Sequence, residues 1–149
     1  ELTNSYGPTD ATVEAAYFDL PQGKEFHNVP IGSSGHNMRL YILNQKKQLL
    51  PPGCIGELYI AGTGVARGYL NRPELTEERF VDDPFYPEER MYQTGDIARW
   101  TEDGLVEWLG RSDGQVKVRG YRIEPGEIEA AIRHIDGIRE AAVTARTEH

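Results

Sequence analysis

The sequence predicts an α+β fold in two parts, a β-rich body followed by a hairpin and one helix. Two observations carry that expectation. Short runs of β-branched, aromatic and aliphatic residues recur along most of the chain, closed by Gly and Pro turn formers. Near Asp113 the pattern changes to a compact hairpin and then to apolar residues at helical spacing.

Within the body, "AAYFDL" (15–20), "MRLYIL" (38–43), "ELYIAG" (57–62) and "GLVEWLG" (104–110) read as strands. "YQTGDIARW" (92–100) places Thr94-Gly95-Asp96 at a turn that leaves a strand. "QVKVRGYRI" (115–123) reads as a hairpin, and "PGEIEAAIRHI" (125–135) as a helix. In that helix Ile128, Ala131, Ile132 and Ile135 share one stripe, and Pro125 suits a first turn, where its missing N–H is not needed. Asp136-Gly137 ends the helix, and "REAAVTAR" (139–146) reads as a further strand. The charged blocks "TEER" (76–79) and "DDPFYPEER" (82–90) are expected to be solvated surface.

Composition narrows the function classes. The chain has 149 residues and a formal charge of −8, from 16 Lys plus Arg against 24 Asp plus Glu. Nucleic-acid and anionic-membrane partners need a positive field, so neither is expected, and any anionic ligand must meet local basic groups. One cysteine, Cys54, rules out an internal disulfide and suits a cytoplasmic setting. No apolar run reaches the ~18 residues that a spanning helix needs. His27, His36, His134 and His149 have no zinc-type spacing with Cys54. "GTGVARG" (62–68) fits neither dinucleotide nor Walker patterns and reads as a tight turn after a strand.

Three stretches point to chemistry. "NSYGPTD" (4–10) gathers a ring, a rigid turn, a hydroxyl and a carboxylate. Asp96 offers a carboxylate able to accept both hydroxyls of a ribose, and Arg111, Lys117, Arg119 and Arg122 concentrate cations in an otherwise acidic chain. Each alone is also compatible with ordinary turns and outward-facing strand charges.

Taken in order, "NSYGPTD", "GELYIAGTGVARGYLNRPELTEERF", "YQTGDIARW" and "GRSDGQVKVRGYRIEPGEIE" make the chain resemble the adenylation domains of nonribosomal peptide synthetases, within the adenylate-forming ligases. The resemblance runs from residue 4 to about residue 135. It implies that residues 1–112 are the distorted, barrel-like C-terminal portion of a large subdomain. Residues 113–149 would be a hinge and the start of a small α+β one. The phosphate loop that precedes this region in the family, and the lysine that follows it, are then expected in the rest of the domain.

The implied activity is an ATP- and magnesium-dependent ligation, forming an aminoacyl adenylate that passes to the phosphopantetheine of a carrier domain. In that frame Asn4, Ser5, Tyr6 and Gly7 bound the adenine, Thr9 contacts phosphate, Asp96 takes the ribose hydroxyls, and Arg111 contacts ribose or phosphate. Asp10 stands where the family has Glu and would bind magnesium, through water if its shorter side chain requires it. Asp113 would be the hinge, and Lys117 and Gly120 would line the pantetheine path. Thr9, Asp10 and Lys117 are the implied catalytic residues. Ser5, Val13 and Glu14 fall at the amino acid pocket, where a desolvated Glu14 calls for a cation, hence a basic substrate such as lysine, ornithine or arginine. The bland reading turns Glu14 to solvent. Rival functions are an acyl-coenzyme A synthetase and a non-catalytic β-rich interaction module.

Overall fold

A computed structural model describes residues 2–112, 116–118, 121–135 and 137–145. It divides into two compact units, Glu1–Gly110 and Arg111–His149.

The first unit is built on β4 (Met38–Leu43), β5 (Gly56–Gly62) and β7 (Arg90–Trp100), antiparallel neighbours in one sheet that β6 (Phe80–Asp82) and β8 (Val106–Arg111) extend from β7. The turn after β4 is set locally, because the Asn44 carboxamide oxygen accepts from the backbone N–H groups of Lys46 and Gln48. A second, three-stranded sheet runs β1 (Leu2–Tyr6), β2 (Ala16–Leu20) and β3 (Ser33–Ser34). It is tied to β8 where Val106 N–H donates to the Gly32 carbonyl at 2.8 Å and Ile31 N–H to the Val106 carbonyl at 2.9 Å.

Successive side chains of a strand point to opposite faces, and here both faces of the central pair are covered. Met38, Leu40 and Ile42 with Leu58 and Ile60 join Ala98, Val106 and the alanines Ala11, Ala15 and Ala16 in one cluster. Tyr41 and Leu43 with Tyr59 and Ala61 join Met91 in the other. That is why 58–61 are buried without a break. Ile42, Leu58, Ile60 and Val106 are essentially sealed from solvent, and each such side chain contributes roughly 1.5 to 3 kcal/mol of burial.

The β-rich expectation holds, as do the strands at 38–43 and 57–62. Two readings in this unit need correction. Thr94-Gly95-Asp96 is inside an eleven-residue strand. "DDPFYPEER" is not uniformly solvated, because Asp83 is buried and bridges to Arg39 at 3.4 Å. Its other oxygen accepts from the backbone N–H of Phe85 at 2.9 Å. "TEER" is indeed on the surface, on α1 (Pro73–Arg79), a helix with no buried residue.

In the second unit β9 (Val116–Val118) and β10 (Tyr121–Ile123) form the expected antiparallel hairpin, and α2 (Pro125–Arg133) follows with Pro125 in its first turn. Ile135 lies past the last helical residue, so the stripe is shorter than its spacing suggests. Residues 139–145 form no strand, and 146 lies outside the described residues. Among the described residues no helix is long and apolar enough to cross a membrane.

Candidate functional site

The loop after β1 is closed by its own backbone. Pro8 carbonyl accepts from the N–H groups of Ala11 (3.0 Å) and Val13 (3.1 Å), and Tyr6 carbonyl from Ala15 N–H (2.8 Å). Thr9–Ala11 is a single 3-10 turn. A side chain at Gly7 would put its Cβ 2.4 Å from the Val13 carbonyl oxygen, so only glycine lets the two limbs approach this closely. Thr12 (φ 62°) and Val13 (φ 68°) both adopt left-handed backbone, unusual for β-branched residues and of order 1 to 3 kcal/mol each in strain. Strain of that kind persists only where the surroundings impose it.

Asp96 reaches the same place from the other sheet. Between Gln93, opposite Tyr59, and Ile97, opposite Glu57, residues 94–96 face Leu58 alone, so β7 bulges. Gly95 supplies the positive φ (75°) that the bulge demands. Thr94 hydroxyl fixes it, donating to Leu58 carbonyl at 2.7 Å and accepting from Asp96 N–H at 2.9 Å. The bulge turns the Asp96 carboxylate, 7% exposed, toward β1 and β8. One oxygen accepts from the Tyr6 hydroxyl and the other from the Trp108 indole N–H at 3.0 Å. Tyr6 and Asp96, 90 positions apart, are therefore in contact. Trp108 is a site residue that sequence alone does not mark. Its one signal is an aromatic with a polar edge in the strand "GLVEWLG".

Asp10 lies on the loop's far side. Its carbonyl accepts from Ala66 N–H at 2.9 Å, while the Thr12 hydroxyl donates to the Gly64 carbonyl. "GTGVARG" is thus a turn, as expected, and also the wall that holds the loop. Burial first, then Tyr69 and Asp10, push the Tyr92 phenol well above the usual range. Tyr69 is raised by burial and Asp10 against a lowering pull from Tyr92.

Among the described residues no three His, Cys, Asp or Glu side chains converge on a point. A lone carboxylate such as Asp10 suits magnesium, which commonly takes one or two protein carboxylates and completes its octahedron with water and substrate phosphate oxygens.

The other expected residues are spread more widely. Asn4 is half-buried with its amide donating to Pro30 carbonyl at 2.7 Å, which makes its side chain a tether. Ser5 and Thr9 are exposed, as are Val13 and Glu14, both on the turn before β2 and outside any strand. Arg111 ends β8 and opens the second unit. Lys117 pairs with Arg122 across the hairpin. Asp113 and Gly120 lie outside the described residues.

Residues 1–70 match the family described as AMP-binding enzyme. Over 99% of its length the chain is 71% identical to a plipastatin synthase of Bacillus subtilis (strain 168) and 56% identical to gramicidin S synthase 2 of Brevibacillus brevis. It spans only 4% and 3% of those proteins. A solved nonribosomal peptide synthetase protein containing adenylation and PCP domains superposes with a TM-score of 0.85 at 34% identity, covering 98% of this chain and 30% of that one.

Proposed function

This chain belongs to the nonribosomal peptide synthetase adenylation domains of the AMP-binding enzyme family, and on that premise we propose that it supplies the nucleotide-holding part of an amino-acid-activating ligase. The amino acid's carboxylate oxygen attacks the α-phosphorus of ATP, forming the acyl–phosphate anhydride as pyrophosphate leaves. Negative charge builds on phosphate oxygens, and bound magnesium would offset it.

One observation carries the reading, namely the contact of Tyr6 with Asp96. A ring that stacks on adenine and a carboxylate that takes the sugar hydroxyls must border one cavity, and this contact puts the two side chains next to each other. Each carboxylate oxygen has a second lone pair, so Asp96 can accept a ribose hydroxyl while keeping Tyr6 and Trp108 as donors. Asn4 and the Gly7 turn hold the ring's strand, and Ser5 borders the base. Thr9 donates to phosphate and Asp10 carries the metal. Arg111 adds a cation near ribose or phosphate.

In the second half-reaction the carrier's pantetheine thiol attacks the acyl carbonyl and AMP leaves. Lys117 and Gly120 line its path, and Asp113 is the pivot. Partners are then a carrier domain and the remainder of the adenylation domain, in the cytoplasm.

The test is nucleotide affinity by calorimetry on the full-length protein. Asp96→Asn and Tyr6→Ala should each weaken ATP binding at least about tenfold, in line with loss of a charge-assisted hydrogen bond or a stacked ring. Wild-type affinity in both variants would overturn the reading. Glu14 is exposed in this chain; closed over by the rest of the domain and a bound amino acid, its carboxylate would need a cation, which points to a basic substrate. Amino-acid-dependent pyrophosphate exchange should favour lysine, ornithine or arginine, and should shift toward neutral substrates in Glu14→Gln. Preference of the unaltered protein for an apolar amino acid would end that part.

A further inference from the structure

The turn "GTGVARG" has no role in the chemistry above beyond walling the loop after β1, yet it opens onto a cavity of about 410 Å³. Three arginines from three elements line that cavity: Arg39 of β4, Arg67 of the turn and Arg90, the first residue of β7. In a chain of net charge −8 they are a local reversal of sign. None of the residues assigned above to nucleotide, metal or amino acid lines this cavity.

Its walls are fixed by hydrogen bonds. Gly62 adopts a φ of 114°, and a Cβ there would stand 2.1 Å from the Asn37 carbonyl oxygen, so only glycine lets the turn close on the residue before β4. That carbonyl accepts from Thr63 N–H at 3.2 Å, and the Gly62 carbonyl accepts from Val65 N–H at 3.1 Å. The Arg90 guanidinium ties β7 to the same turn by donating to the Arg67 carbonyl at 2.8 Å. Arg39 is held by its bond to the Tyr41 hydroxyl at 3.0 Å and by the Tyr86 ring, 4.0 Å away.

The three cations are unequally matched. Arg39 bridges to Asp83 and Glu89, whereas among the described residues Arg67 and Arg90 bridge to no carboxylate. Two uncompensated guanidiniums suit one phosphate group, which carries a charge of about −1.5 to −2 near neutral pH. The planar N–H fork of arginine also fits phosphate oxygens in pairs. Glu89 lines the same cavity while it holds Arg39, so a carboxylate already stands among the cations.

We propose that this cavity binds a phosphate group. Arg67 and Arg90 hold it, Arg39 joins them when Glu89 yields, and Glu89 is a tethered competitor that weakens the site. The volume falls within the roughly 300 to 1,000 Å³ of small-molecule sites, so the cavity has room for more than the anion itself. Val65 and Ala66 give it an apolar side for the organic part of a small phosphate monoester.

The experiment is calorimetry on the full-length protein with ATP and magnesium present and amino acid withheld, so that the probe does not compete for a nucleotide site. Inorganic phosphate and phenyl phosphate are the titrants. Arg67→Gln and Arg90→Gln should each weaken both about five- to tenfold, the loss of a partly exposed charge-assisted bond. Arg72→Gln removes the same charge at an exposed position outside the cavity and should stay within about twofold. Glu89→Gln should strengthen binding about three- to tenfold, because it removes a like charge and frees Arg39. Tighter binding of the ester identifies a monoester as the ligand and equal constants identify free phosphate, and either supports the site. Equal constants across all four variants would place the probe elsewhere and overturn the proposal. Failure of the unaltered protein to take up either probe also overturns it, and a lower Tm in Arg67→Gln would then identify an acidic segment of the remaining protein as the occupant.

Discussion

Two buried aspartates of the first unit make opposite use of their surroundings. Asp83 is held within its own corner, by the N–H groups of Phe85 and Tyr86, the Tyr41 hydroxyl at 3.1 Å and the Arg39 guanidinium. Arg39 in turn binds Glu89 and lies 4.0 Å over the Tyr86 ring. Burial works against its charge, but Glu89 and Tyr41 outweigh that and raise its pKa. Asp96 takes its donors from β1 and β8 and sits on a bulge that exists to aim it. The first acid knots a turn to a sheet edge, and the second collects groups from separate strands at one point. A buried carboxylate signals function by where its donors come from more than by being buried.

The comparison is sharpest in stability. Asp83→Ala strips an acceptor from two backbone amides and a phenol, and should cost about 3 kcal/mol in urea unfolding of the full-length protein. Asp96→Asn retains shape and one acceptor oxygen, and should cost about 1 kcal/mol while nucleotide affinity falls. The reverse order would break the distinction, since Asp96 would then be the structural acid. A third acid–phenol contact, Glu57 with Tyr59 in β5, acts only in alkali. Burial first, then Glu57, pushes the Tyr59 phenol up to about 12. The folded state therefore holds this proton above pH 10, where the unfolded chain has released it, so stability falls from about pH 10 to about pH 12. Below pH 10 this group contributes no pH dependence. Tyr59→Phe should remove that alkaline slope, at most about 3 kcal/mol across the interval.

The central strands were legible because their apolar runs have no competing explanation. "MRLYIL" and β4 coincide residue for residue. β7 was hidden because Thr94-Gly95-Asp96 has turn chemistry, and only pairing with Leu58 makes those residues a bulge. Asp83 was misread because a charged block looks solvated until its cation, 44 positions earlier, is brought beside it. "REAAVTAR" alternates like a strand, yet its described part finds no neighbour to pair with. The site was legible only by analogy. Composition and spacing singled out Tyr6 and Asp96 separately, and nothing local brings them together. Trp108 escaped notice because it reads as ordinary core.

Parity along the central pair has a practical corollary. On β4 and β5 the even positions share their packing with Tyr6 and Ala11, whereas the odd positions share it with Met91 and Val81. The sheet works as a bulkhead, so an engineer could rebuild the odd-numbered side through Tyr41, Leu43, Tyr59 and Ala61 without touching the compartment on which the loop after β1 is anchored.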